Sequence, residues 1–236
     1  MAFSSNDRYT SDDYFKNNPT WDDEDARWKS GIIHELLKSN AVSPQTVVEV
    51  GCGAGGILSE LSKLNPAIKQ LKGYDISPYA IALANQKKND KISYYNSDFI
   101  NGNDAGGDVL LVVDVIEHID DYYGFLNKLK ARSQYVVIHI PLDLSCRNIL
   151  KPNTILVQRE TVGHLHYFTK EIVEWALKDT GFTIIDWVYT KPLIDLEPAK
   201  SLKTNLKKIL RKISFAVNKD LSAKIWGGYS MMILIK

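Results

Sequence analysis

Thr46-Val-Val-Glu-Val-Gly-Cys-Gly-Ala-Gly-Gly56 runs an apolar, β-branched segment straight into a glycine-rich turn. Glycine lets the backbone adopt left-handed dihedrals and lets a ligand approach the chain closely, so this turn has the composition of a ligand cradle. Gly51, Gly53 and Gly56 satisfy the dinucleotide pattern G-x-G-x-x-G, and Asp75, 24 residues beyond Gly51, stands where a ribose-binding acid belongs. Glu49 argues the other way. A carboxylate two residues ahead of the turn repels a pyrophosphate and attracts a cation such as an ammonium or sulfonium. Three more acids follow apolar runs: Asp75, Asp98 in Asn-Ser-Asp-Phe, and Asp114 in Asp-Val-Ile-Glu-His. Together with Glu49 they would form a row of acceptors for a ligand that carries hydroxyls, an amine and positive charge.

These residues need a scaffold that brings strand ends together. Seven segments read as strands: Thr46 to Val50, Leu71 to Ile76, Ile92 to Tyr95, Val109 to Asp114, Tyr135 to Ile140, Phe182 to Tyr189 and Tyr229 to Ile235. Between most of them, Trp28 to Leu37, Gly56 to Leu64, Pro78 to Lys87, Tyr122 to Lys130 and Lys170 to Lys178 show the spacing of amphipathic helices. Such alternation predicts an α/β fold with a mostly parallel sheet covered on both faces, whose ligands bind at the carboxyl ends of the strands.

In order and spacing these motifs resemble the class I S-adenosylmethionine-dependent methyltransferases of the small-molecule type, over most of the chain. The resemblance implies a Rossmann-like, doubly wound seven-stranded sheet, mostly parallel with an antiparallel last strand. It implies S-adenosylmethionine as cofactor and S-adenosylhomocysteine as product. By the same resemblance Glu49, Gly51, Gly53 and Gly55 wrap the methionine part, with the Cys52 backbone beside them. Asp75 holds the ribose hydroxyls, Ile76 packs on adenine, and Asp98 with the Phe99 backbone reads the adenine amine. Asp114 and Val115 line the pocket near the methyl group.

Methyl transfer from a sulfonium is an in-line displacement, so a hydroxyl or protonated amine acceptor must also lose a proton. His118 follows the fourth strand, and His164 and His166 stand in Gly-His-Leu-His-Tyr-Phe-Thr169. These three are the candidate bases, with Glu117 as a group that orients His118 or binds substrate. His139, inside Val136 to Ile140, reads as a satisfied core histidine. A metal site is not expected, since the His pair has neither a cysteine nor an acid at ligand spacing.

Two regions look suited to substrate choice. Residues 1 to 40 form an N-terminal cover segment and helix, with Tyr9, Tyr14, Phe15, Trp21 and Trp28, and the first 25 residues hold two basic against seven acidic residues. The methyltransferase domain proper is expected over 41 to 236, with a substrate-side loop at 141 to 168 and a basic amphipathic insert at 191 to 228. Residues 200 to 219 carry seven basic residues and no acids. On a helix, Leu202, Leu206, Ile209, Leu210, Ile213 and Val217 fall on one stripe. That stripe is expected to cap the core or form a dimer contact. The alternative is a cationic face that attracts an anionic acceptor or contacts anionic lipid.

The 236 residues carry 29 basic and 28 acidic side chains. That balance argues against a uniformly basic nucleic-acid binder. The longest apolar run, Tyr79 to Ala84, is far too short to span a membrane. Cys52 and Cys146 are the only cysteines, which suits a reducing cytoplasm. The function expected is methyl transfer to a small or medium-sized acceptor, an anionic sugar or lipid-linked glycan being the class the insert suggests. The alternatives are an NAD-dependent oxidoreductase and a non-catalytic cofactor-binding or RNA-interacting module.

Overall fold

Val109–Val113 is apolar and buried at every position, as a strand covered on both faces must be. In the computed structural model this strand, β4, lies at the centre of a seven-stranded sheet of order β3-β2-β1-β4-β5-β7-β6. The others are β1 (Thr46–Val50), β2 (Gln70–Asp75), β3 (Ile92–Asn96), β5 (Tyr135–Pro141), β6 (Ile184–Thr190) and β7 (Ser230–Ile235). The structure describes Tyr9 and residues 18–21, 23–196, 198 and 201–236. Tyr14, Phe15 and Lys200, singled out in the sequence, lie outside these residues. Pairs β1–β2, β1–β4, β2–β3 and β4–β5 are parallel, whereas β7 runs antiparallel to both β5 and β6. The expected doubly wound sheet is therefore present, with its antiparallel last strand inserted between the fifth and sixth.

Helices cover both faces. On one side α1 (Ala26–Ser39), α2 (Gly56–Leu64) and α3 (Pro78–Ala84) bury residues such as Ile33, Leu58, Leu61 and Ile81 against Val47, Leu111 and Val137. On the other, α4 (Tyr122–Lys130) and α7 (Lys170–Asp179) pack Leu126, Leu129, Val173 and Leu177 against Val48, Val112 and Ile138. The helix starts carry local signals: Ser77 caps α3 just before Pro78, and Thr169 caps α7, each side chain accepting a backbone N–H. Among the described residues four helices escaped the sequence reading: α5 (Cys146–Leu150), α6 (Pro152–Thr161), α8 (Pro192–Asp195) and α10 (Lys219–Trp226). Most are short and weakly periodic, which hides them from an amphipathic pattern.

The insert after β6 contains α9 (Leu202–Val217). It leaves the sheet at Thr190 and returns at Ser230, residues that pair with each other and, through Ser230, with Pro141. That is the carboxyl edge of the parallel strands. Of the two expected placements of the α9 stripe, capping the core and a dimer contact, the first does not occur. Leu206, Ile209, Leu210, Ile213 and Val217 are exposed, and the helix instead turns Arg211 inward, 5% exposed. Its stripe does not cap the core.

Candidate functional site

A cavity of about 580 Å³ opens along the carboxyl ends of β1, β2 and β4, a size that holds a nucleotide-like ligand. Its floor is the glycine turn. Gly51, Gly53 and Gly55 have φ of +71°, +52° and +77°, left-handed values that side chains resist. A Cβ on Gly51 would lie 2.5 Å from the Val115 side chain, and one on Gly55 would lie 2.6 Å from the Tyr94 ring. Among the described residues nothing would stand closer than 3.6 Å to a Cβ on Gly53, the nearest atom being the Trp21 carbonyl oxygen.

The acid row is assembled around this turn. Glu49 is 1% exposed, lines the cavity, and has one carboxylate oxygen without a hydrogen-bond partner. Burial, then the neighbouring Asp75 charge, pushes its carboxyl well above the ordinary value, against the pull of Lys29. Asp75 accepts the Gly53 amide at 2.9 Å and the Ser77 amide at 2.8 Å, so it ties β2 to the turn while lining the cavity. Ile76, Phe99, Val115 and Cys52 also line it, and burial raises the Cys52 thiol well above its usual value, which keeps it protonated. Asp98 is exposed at the rim and braces its own loop, accepting the amides of Ile100 and Asn101 at 3.0 and 3.1 Å.

Asp114 sits at φ +53°, with His139 Nδ1 at 2.6 Å on one oxygen and Lys29 Nζ at 2.8 Å on the other. Burial alone would raise this carboxyl. His139 and Lys29 together outweigh burial and hold it well below the carboxylate range. His139 also meets the Thr190 hydroxyl at 2.8 Å, so it is the satisfied core histidine the sequence indicated.

Beyond Asp114 the far wall holds Glu117, His118 and His164. His118 Nδ1 donates to the Gly163 carbonyl at 3.2 Å and lies 2.7 Å from the Tyr9 hydroxyl, leaving Nε2 on the side of Glu117 at 4.0 Å. That separation is too long for Glu117 to orient His118 by a hydrogen bond. His164 Nδ1 donates to Asp143 at 2.8 Å, which fixes its tautomer and leaves Nε2 as the basic nitrogen. Glu117 is fully buried with both oxygens unpartnered, and burial, followed by the Asp114 charge, raises its carboxyl well above normal. Ligand atoms of Glu117, His118 and His164 lie within 4.8 Å of one another, so this wall has the donor set to hold a cation. The sequence concealed it because the acid comes from 47 positions before His164 and not from beside the pair. His166 is not brought here: its Nε2 donates to the Ile119 and Asp120 carbonyls at 2.9 and 3.2 Å, and its ring packs on Tyr122.

Residues 21–186 match the model of a family described as a methyltransferase domain. The chain belongs to this methyltransferase family. Solved structures share its fold. The magnesium protoporphyrin IX methyltransferase ChlM of Synechocystis PCC 6803, solved with bound SAH, aligns over 98% of this chain and 96% of its own at 14% identity and a TM-score of 0.62. The plantazolicin methyltransferase BpumL, in complex with SAH, aligns over 99% and 94% at 18% identity and a TM-score of 0.63. The methyltransferase domain of bacterial CtHen1-C aligns over 89% and 97% at 21% identity and a TM-score of 0.56. The expectation of a class I S-adenosylmethionine-dependent methyltransferase thus holds for family and fold, and the oxidoreductase alternative falls.

Four residues at or beside the candidate site were not singled out in the sequence. Lys29 reaches Asp114 from α1, Asp143 orients His164, and Asp23 bonds Lys87, whose ammonium also donates to the Ala54 carbonyl in the glycine turn. Lys29 carried one signal, a charge on the apolar side of an amphipathic helix. The others are legible only in three dimensions.

Proposed function

We propose that the cavity binds S-adenosylmethionine at its glycine-turn end and a proton-bearing acceptor at its His118–His164 end. The observation that carries this reading is Glu49, a buried carboxyl group in the cavity wall with one oxygen that has no hydrogen-bond partner among the described residues. Such a group is costly unless a cation meets it. An ammonium-bearing, positively charged ligand supplies that partner, and Asp75, whose two oxygens each keep acceptor capacity beyond one amide, suits ribose hydroxyls. The residues present therefore fit the cofactor, with Gly51, Gly53, Gly55, Cys52, Ile76, Asp98, Phe99, Asp114 and Val115 around it.

When bound, S-adenosylmethionine supplies an electrophilic methyl group. The chain's own work is to hold, orient and dry the site. Tyr9 and Trp21, with Asp23, Asp25 and Lys29, wall the cavity on the N-terminal side, which supports the reading of residues 1 to 40 as a cover. At the acceptor end the His164 Nε2, set by Asp143, is the group best placed to take a proton, with His118 beside it at a ring separation of 5.0 Å. Glu117 lies buried behind them, and His166 positions the loop that carries Ile119 and Asp120.

The acceptor reading remains a small or medium-sized molecule, with anionic sugars and lipid-linked glycans first in line because of the basic insert. No helix among the described residues is long and apolar enough to cross a membrane. Both cysteines are free thiols, which is compatible with the cytoplasmic reading. Calorimetry with S-adenosylmethionine, S-adenosylhomocysteine and NAD tests the donor. Tighter binding of NAD would overturn the reading, and a methyl-transfer screen over sugars, phenols and lipid-linked glycans tests the acceptor.

A further inference from the structure

Helix α9 is built inside out relative to a core-capping helix. Toward the protein it turns Arg211, Ser214 and Phe215: Phe215 stacks on Tyr229 at 5.3 Å, Ser214 bonds Ser222 at 2.8 Å, and Arg211 donates to the Trp226 carbonyl. Lys208 reaches the Ile194 carbonyl at 3.2 Å. These contacts fix the rotation of the helix about its axis. Its aliphatic stripe is thereby held outward: Leu206, Ile209, Leu210 and Ile213 are 42% to 59% exposed, and Val217 is 82% exposed.

We propose that α9 docks this methyltransferase on an anionic lipid surface, inserting its outward aliphatic stripe while the flanking basic residues meet the headgroups. Two observations choose this occupant. Residues 200–219 hold seven basic residues and no acid; Arg211 is turned inward, whereas Lys212 and Lys219 are exposed. An apolar stripe edged by cations is the composition of an interfacial helix. A second copy of the same face would bring two equally basic segments together across a symmetric contact, which like charges oppose. A nucleic acid would use the charge and leave the aliphatic stripe in water.

The placement adds a consequence. The insert hangs from the carboxyl edge of the sheet, where the cavity opens, and α9 connects back toward the cavity wall by packing on α10, which packs on α5, which packs on α6. Ile149 and Leu150 of α5 and Leu156 and Val157 of α6 are exposed as well. An acceptor tethered to the lipid surface would then meet the enzyme on its open edge. That last step alone rests on the acceptor reading above.

Flotation of the full chain with phosphatidylglycerol vesicles, and separately with phosphatidylcholine vesicles, tests docking without any acceptor. Association is expected with the anionic vesicles, weaker with the neutral ones, and reduced by added salt. The double substitution Ile209→Asp with Ile213→Asp should lower it by about tenfold or more, and Lys212→Glu with Lys219→Glu should lower it independently. Far-ultraviolet circular dichroism and S-adenosylhomocysteine affinity serve as fold controls. Loss of cofactor affinity in the wild type would count against the donor site and leave docking to be read from flotation. Absence of binding to phosphatidylglycerol vesicles, equal binding to both vesicle types, or unchanged binding by the Ile209 and Ile213 variant would each overturn the proposal. So would a concentration-dependent dimer that the same variant abolishes.

Discussion

The Asp75 carboxylate accepts the backbone amide of Gly53 at 2.9 Å, joining the end of β2 to the turn that follows β1. One side chain thus shapes the glycine turn and faces the cavity. Asp75→Ala removes two charge-assisted hydrogen bonds to backbone as well as the ribose acceptor. At about 1.5–3 kcal/mol for each hydrogen bond from a ribose hydroxyl to the charged carboxylate, losing both should lower S-adenosylhomocysteine affinity by about 100-fold or more. Calorimetry measures it, and retained affinity would contradict the site. Asp75→Asn, which keeps an acceptor oxygen, should fall between.

Cofactor binding should be linked to a proton on Glu49. Burial first, then Asp75, raises the folded-state carboxyl well above normal. Between the unfolded value, about 4.3, and the raised one, the empty folded chain holds a proton that the unfolded chain has released. This contribution to stability is present at low pH and is lost as pH rises through the folded value. A cationic ligand favours the carboxylate, so binding should release a proton and tighten as pH rises. Calorimetry in buffers of different ionisation enthalpy would detect the proton. In Glu49→Gln the release should vanish and S-adenosylmethionine affinity should drop by about tenfold or more.

Asp114 has the opposite sign. His139 and Lys29 depress its carboxyl below the unfolded value despite its burial, so its contribution is present at neutral pH and lost as pH falls through the folded value. Asp114→Asn should cost about 2–3 kcal/mol at neutral pH, since it breaks the 2.8 Å ion pair with Lys29. The penalty should shrink in acid. Urea titrations at neutral and acidic pH give both numbers, and a penalty that stayed constant with pH would refute the ion-pair account.

His164 should matter through turnover and less through binding. With the first acceptor that supports methyl transfer, His164→Ala is expected to lower kcat by about 100-fold or more, the scale of a lost general base. Asp143→Asn should lower it less and change the pH profile, because the Nδ1 proton loses its carboxylate partner. His166→Asn should affect stability more than turnover, its ring being occupied with the Ile119 and Asp120 carbonyls. Equal kinetic losses at His164 and His166 would remove the distinction.

The strand-and-turn frame and the acid row were legible in the sequence because each depends on neighbours a few residues away. β1 and its glycine turn form one continuous segment. Glu49, Asp75 and Asp114 needed only the rule that parallel strands end at one edge. The histidines were not legible in this way. His164 and His166 are two positions apart, yet one faces the cavity and the other turns to the loop after His118. Which of them faces inward is set by the way the backbone packs against Glu117, whose carbonyl accepts the amides of both Leu165 and His166.

The same division holds at the insert. Sequence alone determined that residues 202–217 form a helix with an aliphatic stripe and a basic surround, because helical period and charge are local properties. Only the tertiary structure decided which side of it meets the protein. The ring stack of Phe215 on Tyr229 and the burial of Arg211 fix that choice, and they leave the most apolar face of the helix in water.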